Sequence, residues 1–254
     1  EVIPFAFDWR RPIEDEARRL ATTVDVALAA RDAGGMPVRL LAHSMGGLVA
    51  RTMQLEKPAT WTRLMAREGA RLLMLGTPNG GSWSPMQTLS GDDTFGNTLA
   101  ALGSLFDNRG ARRMMAGLPG FIQLQAALLD PEPKPGLAHA ATWKKLADDD
   151  MAALRRLNLW HEPDTQRAIY EWGAPPQDVL DQAVALRRRL QAQLPALAAD
   201  ASKMALVVGQ APFTPAGISM GEEGLEYLNT ADGGDGRVTL DNALLPGVAT
   251  WTVD

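Results

Sequence analysis

Short apolar runs alternate along the first third of the chain with stretches whose apolar residues recur at helical spacing. Val2 to Phe7 is an apolar and aromatic run that predicts a buried strand, closed by Asp8, Trp9 and Arg10. A helix is expected next. Pro12 suits a first turn, Glu14 to Glu16 favour the positive helix end, and Leu20, Val24, Ala27 and Leu28 share one face. Gly34 and Gly35 stop it. Val38 to Ala42 predicts a second strand, Gly46 to Leu55 a second helix, and Arg71 to Leu75 a third strand running into Gly76, Thr77 and Pro78. Strands alternating with helices imply a parallel sheet with right-handed crossovers.

From Gly80 to Asp200 that rhythm is lost, and the pattern predicts helices, Asp178 to Leu194 among them, separated by turns such as DPEPKPG at 130 to 136. Alternation resumes with a strand at Met204 to Gly209, a glycine-rich loop at Asp232 to Gly236 and a last strand at Val248 to Val253. The chain therefore divides into an α/β core half at 1–79, a helical insertion at 80–200 and a second core half at 201–254. There is no internal repeat.

Composition narrows the function classes. The 254 residues are 46% apolar, enough to bury a full core, and the net charge of -5 lacks the clustered cations that nucleic acid requires. Arg187 to Arg189 reads as the wet face of a helix. With no cysteine, disulfides and thiolate metal sites are excluded, and three scattered histidines give no metal-ligand spacing. No apolar run reaches membrane-spanning length, so the default compartment is cytoplasmic. The chain opens at Glu1 followed by VIPFAF, unlike a signal peptide or a natural start, and is expected to be part of a longer polypeptide.

The chemistry lies in AHSMGG at 42 to 47. A strand that turns at once into a helix can hold a serine at the bend, its hydroxyl exposed above the sheet, only between small residues. Ala42 and Gly46 are expected to supply that smallness, with Gly47 the second elbow glycine. The backbone N–H of Met45 can then donate to an oxyanion forming on a substrate attacked by Ser44. This is GxSxG, the nucleophile elbow of α/β-hydrolases, with alanine first. A phosphate cradle is the competing reading, but there is no GxGxxG and no lysine after the glycines.

His43 adjoins the serine but points to the other side of its strand, so it is expected to be structural. His139 and His161 fall in the insertion. The triad order of this fold is serine, acid, histidine, with the acid in a loop after a late strand. NTADGGDGRVTLDN at 229 to 242 offers Asp232, Asp235 and Asp241; Asp235, between glycines before RVTL, is suited to turning toward the active face. No histidine follows His161.

Together FDWR at 7 to 10, AHSMGGLVAR, LGTPNGGS at 75 to 82, LPGFIQL at 118 to 124 and GGDGRV at 233 to 238 resemble the lecithin:cholesterol acyltransferase and PGAP1-like branch of α/β-hydrolases. The resemblance implies a mostly parallel α/β-hydrolase sheet with helices on both faces and the helical insertion as a lid. It makes Ser44 the nucleophile and Asp235 the triad acid, with Gly76, Thr77, Pro78 and Gly80 to Ser82 opening into the lid. Phe106, Phe121, Trp143, Trp160 and Trp172 would line an acyl pocket. Such families carry an HG-type loop upstream and a histidine downstream. Neither is present, so the core is expected to be incomplete at both ends.

The implied activity is a serine esterase or lipase acting, without cofactor or metal, on a small-molecule or lipid ester with an apolar acyl part. Such a substrate allows transient contact with a lipid surface. Acyl transfer to an alcohol is the close alternative. A non-catalytic interaction module of a larger protein is the alternative from another class.

Overall fold

The computed structural model describes residues 1–31, 35–92, 108–134, 136–157 and 171–253, so Gly34, Phe106, Trp160 and His161 lie outside the described residues. In chain order the elements are α1 (Ile13–Ala29), β1 (Arg39–His43), α2 (Met45–Glu56), α3 (Pro58–Ala66), β2 (Arg71–Leu75), α4 (Ser84–Ser90), α5 (Asn108–Ala116), α6 (Pro119–Ile122), α7 (Ala140–Leu157), α8 (Gln177–Ala192), α9 (Leu194–Ala198), β3 (Met204–Gly209), β4 (Pro215–Gly221), β5 (Gly224–Asn229), α10 (Leu240–Ala243) and β6 (Ala249–Val253).

The architecture is α/β. Strands β1, β2, β3 and β6 form a parallel sheet in that order, with His43 opposite Leu75, Leu75 opposite Val207 and Val207 opposite Trp251. Every strand therefore ends at the same edge, where open α/β sheets place their ligands.

Alternation along the strands sends Ala42, Leu72, Met74, Met204, Leu206 and Val208 to one face, all of them buried. Helices α1, α2 and α3 close that face through Leu20, Val24, Leu28, Leu48, Met53 and Leu64. The other face differs from the expectation of helices on both sides. Leu41 and Trp251, which alternate onto it, are 71% and 56% exposed, and Leu73 and Val207 are only half-buried. Among the described residues one side of the sheet carries the core.

Val2 to Phe7 forms no strand. Pro4 offers no N–H to a ladder, Val2 is 91% exposed, and only Phe5 and Phe7 pack against the core. Helix α3, with Pro58 in its first turn, and the β4–β5 hairpin were not anticipated. The hairpin turns through Glu222 and Glu223 between two glycines, a turn without the usual asparagine or aspartate signal.

The 80–200 segment has its own apolar cluster, which includes Trp83, Met86, Ile122, Trp143, Trp172 and Leu180, and Ile218, Leu225 and Tyr227 of the hairpin pack against it. Asp150 ties the hairpin to α7: its Oδ1 accepts from Leu225 N at 2.7 Å and its Oδ2 from Trp172 Nε1 at 2.8 Å. Helix α8 joins the two clusters, giving Val179, Leu180 and Val184 to the helical one and Leu186 and Leu190 to the sheet. No helix among the described residues is long and apolar enough to cross a membrane.

The one-sided burial predicts unequal costs for two leucines one position apart in register. Leu72→Ala, at a fully buried site, should lower the unfolding free energy by about 2–5 kcal/mol in urea titrations, and Leu41→Ala by about 0.5 kcal/mol or less.

Candidate active site

The site begins where β1 ends. Ser44 N donates to Leu75 O at 2.8 Å, extending the β1–β2 ladder one residue beyond His43. The chain then turns into α2 at once, with Ser44 at φ 52° and ψ -127°. Ser44 and Ala127 are the only non-glycine residues with positive φ among the described residues. Such a conformation costs about 1–3 kcal/mol and persists only where its surroundings enforce it. The Ser44 side chain makes no capping bond to α2, so its hydroxyl is not consumed by the helix it precedes. Met45 is the first residue of α2, where a backbone N–H has no intrahelical acceptor, and its 5% exposed side chain anchors that turn in the core.

The two elbow glycines have different reasons. A Cβ on Gly46 would meet Phe7 Cε1 at 3.7 Å and Ala42 Cβ at 3.8 Å, ordinary contacts. A Cβ on Gly47 would fall 2.1 Å from Thr77 Oγ1 and 2.5 Å from Thr77 Cγ2. The expectation that Gly46 provides the necessary smallness is therefore corrected. It is Gly47, inside the helix, that lets α2 close on the loop after β2.

That loop leads to the carboxylate. Gly76 N donates to Val207 O at 2.9 Å, carrying β2 one residue past its end toward β3, and Gly76 takes φ 54°. A Cβ there would lie 3.2 Å from Asp235 Oδ2, and one on Gly209, at the end of β3, would lie 3.1 Å from Asp235 Cβ. Asp235 thus rests on the ends of β2 and β3, next to the strand that carries Ser44. Its Oδ1 accepts from Arg237 N at 2.9 Å and Val238 N at 2.8 Å, which fixes the rotamer and turns Oδ2 toward Gly76. Of the three candidate acids, Asp232 and Asp241 are exposed, and Asp235 is the one that lies against Gly76 and Gly209.

The remaining motifs brace this edge. Gly120 N donates to Arg10 O at 3.2 Å, and a Cβ on Gly120 would strike Arg11 O at 2.1 Å. Trp9 meets Phe121 edge-on at 6.1 Å. Gln123 Oε1 accepts from Ile13 N at 2.7 Å, so FDWR and LPGFIQL dock on each other across more than a hundred residues. Within FDWR, the Arg10 guanidinium and backbone N–H hold the Asp8 carboxyl down at a pKa of about 2. Ser82 Oγ donates to Arg237 O at 2.5 Å, joining LGTPNGGS to GGDGRV.

His43 is exposed and alternates onto the open face with Leu41, and His139 is exposed in the turn before α7. His161 lies outside the described residues. Trp143 and Trp172 are both core residues of the helical cluster, at 0% and 4% exposure, with Trp143 Nε1 donating to Leu137 O at 2.9 Å. Among the described residues no three of His, Asp and Glu lie close enough to share a metal ion.

Residues 1–120, under half of the chain, match the family described as lecithin:cholesterol acyltransferase. Over those residues the chain is similar to that family. No curated protein matches it. A solved structure titled "The crystal structure of Tle4-Tli4 complex" is similar at 14% identity and a TM-score of 0.47, over 80% of this chain and 43% of that one. The chain spans less than half the length of that relative. The matched segment carries the elbow and the loop after β2, while Asp235 is brought in from beyond it.

The glycine geometry separates two conservative variants. Gly47→Ala should destabilise by about 3 kcal/mol or more through the clash with Thr77, while Gly46→Ala should be neutral or stabilising by up to about 1 kcal/mol; denaturant midpoints decide it.

Proposed function

We propose that the chain is the core of a serine hydrolase that cleaves carboxylic esters with an apolar acyl part through an acyl-enzyme on Ser44. The observation that carries this reading is the left-handed backbone of Ser44 at the β1–α2 junction, a strain that a merely structural serine has no reason to hold. Ser44 Oγ attacks the ester carbonyl and its proton passes to a histidine, which returns it to the departing alcohol. Water then attacks the acyl-enzyme by the same relay. Met45 N–H, at the positive end of α2, donates to the oxyanion of each tetrahedral intermediate.

Asp235 orients that histidine through Oδ2, with Oδ1 already committed to two backbone donors. His43 and His139 are not suited to the role, one facing the open side of the sheet and the other lying in the helical segment. The helical segment serves as the lid over the acyl chain. The match to the acyltransferase family supports lipid-like esters, and transfer of the acyl group to an alcohol is the second outcome it favours.

The test is labelling of the longest native polypeptide containing this chain with a fluorophosphonate. Labelling should occur, vanish in Ser44→Ala and slow by about a hundredfold or more in Asp235→Asn, a loss in the range measured for triad members. Absence of labelling in a folded protein would instead favour a binding module. A second readout is independent of activity: Ser44→Gly should abolish labelling and raise the unfolding free energy by about 1 kcal/mol, because glycine carries the left-handed backbone without strain.

A further inference from the structure

Two arginines lie inside the molecule, one of them, Arg187, in the run expected to form a wet helix face. Arg51 on α2 is 1% exposed and Arg187 on α8 is 8% exposed. Arg51 Nη1 donates to Asn79 O at 3.3 Å and Asn79 Oδ1 at 2.8 Å, and Nη2 to Leu190 O at 3.1 Å and Gln193 Oε1 at 3.3 Å. Arg187 uses one N–H on the same Asn79 O at 2.8 Å and another on Gln123 O at 3.2 Å.

A guanidinium carries five N–H groups, so Arg187 keeps three unspent, and the Nε of each arginine is buried without a partner. Every acceptor is neutral. Burial, with the Arg187 charge beside it, pulls the Arg51 pKa down to about 9, and burial alone pulls Arg187 to about 10. Both remain cations at neutral pH, two like charges sharing one carbonyl with no carboxylate in contact among the described residues. Buried charge of this kind is costly until an anion compensates it.

A cleft of about 320 Å³ opens against the pair, near the lower end of the range of small-molecule sites. Leu128, Leu129, Leu190, Leu194 and Leu245 form its wall, and the exposed carboxylates of Asp130 and Asp241 also border it. The wall suits an aliphatic chain, and the two acids disfavour a doubly charged anion such as phosphate.

We propose that this cleft binds the carboxylate of an aliphatic acid, its oxygens on the unspent N–H groups of Arg187 and Arg51 and its chain along the leucine wall. The site is separate from the elbow, since Arg51 stands seven residues beyond Ser44, about 10 Å along α2. It is nonetheless linked to it. Asn79, gripped by both arginines, follows Thr77, against which Gly47 packs.

Calorimetric titration of octanoate into the full chain tests the proposal. Octanoate should bind the parent and Ser44→Ala chains equally, octanol should not bind, and inorganic phosphate should compete at least tenfold more weakly than octanoate. Arg187→Gln should weaken octanoate at least tenfold. So should Leu129→Trp, which narrows the cleft, leaves both arginines in place and carries the test if Arg187→Gln fails to fold. The proposal is overturned if octanoate does not bind, if Leu129→Trp leaves its affinity unchanged, if Ser44→Ala abolishes binding, or if phosphate competes equally. Failure of the hydrolase reading would register as lost fluorophosphonate labelling and leave these titrations unaffected.

Discussion

The close approach of α2 to the loop after β2 is the constraint on which the candidate site rests. At Gly47 there is no space for even a methyl group, because Thr77 occupies it. With the helix held there, its first residue is pinned to the end of β1 and the connection has a single residue, Ser44, in which to reverse direction. The left-handed backbone at Ser44 is the consequence. Packing energy spread over the buried face of α2, with Leu48, Val49 and Met53 in the core, offsets the local strain.

The same loop is gripped from its far side. Asn79 receives Arg51 and Arg187, and its Nδ2 donates to Ala243 O at 2.7 Å, so α2, α8 and the segment after the Asp235 loop converge on one residue. Gly80 N donates to Asn242 O at 2.6 Å beside it. Elements distant in the chain are thereby locked to the strand ends where Ser44 and Asp235 sit. An interior built this way concentrates positive charge. That charge, sheltered from water and facing a leucine-lined cleft, gives the molecule a second site with chemistry unlike that of the elbow.

Burial is asymmetric across the sheet, and this bears on how the site is presented. The face carrying α1, α2 and α3 supplies rigid packing under the elbow, whereas Leu41, His43 and Trp251 look outward on the opposite face. A histidine adjacent to a nucleophile in sequence is thus separated from it by the pleat. The helical cluster, with the hairpin strapped to it by Asp150, forms a second body of apolar contacts joined to the sheet through α8.

Local pattern determined much of this on its own. Short apolar runs set β1, β2 and β3 nearly to the residue, because they are flanked by glycine, proline and serine positions that admit no continuation. The serine between small residues marked the elbow, since few residue types tolerate a strand-to-helix reversal. What the pattern lacked was partnership. The Val2 to Phe7 run has strand composition but no neighbour to pair with, and the hairpin at 215–229 has pairing without a strong turn signal. The need for a glycine at position 47 was not legible because the clash that decides it comes from Thr77, thirty residues away. Arg187 read as a surface residue for the same reason. Burial of a guanidinium is set by the carbonyls and amides that tertiary folding brings around it, and no local rule encodes them.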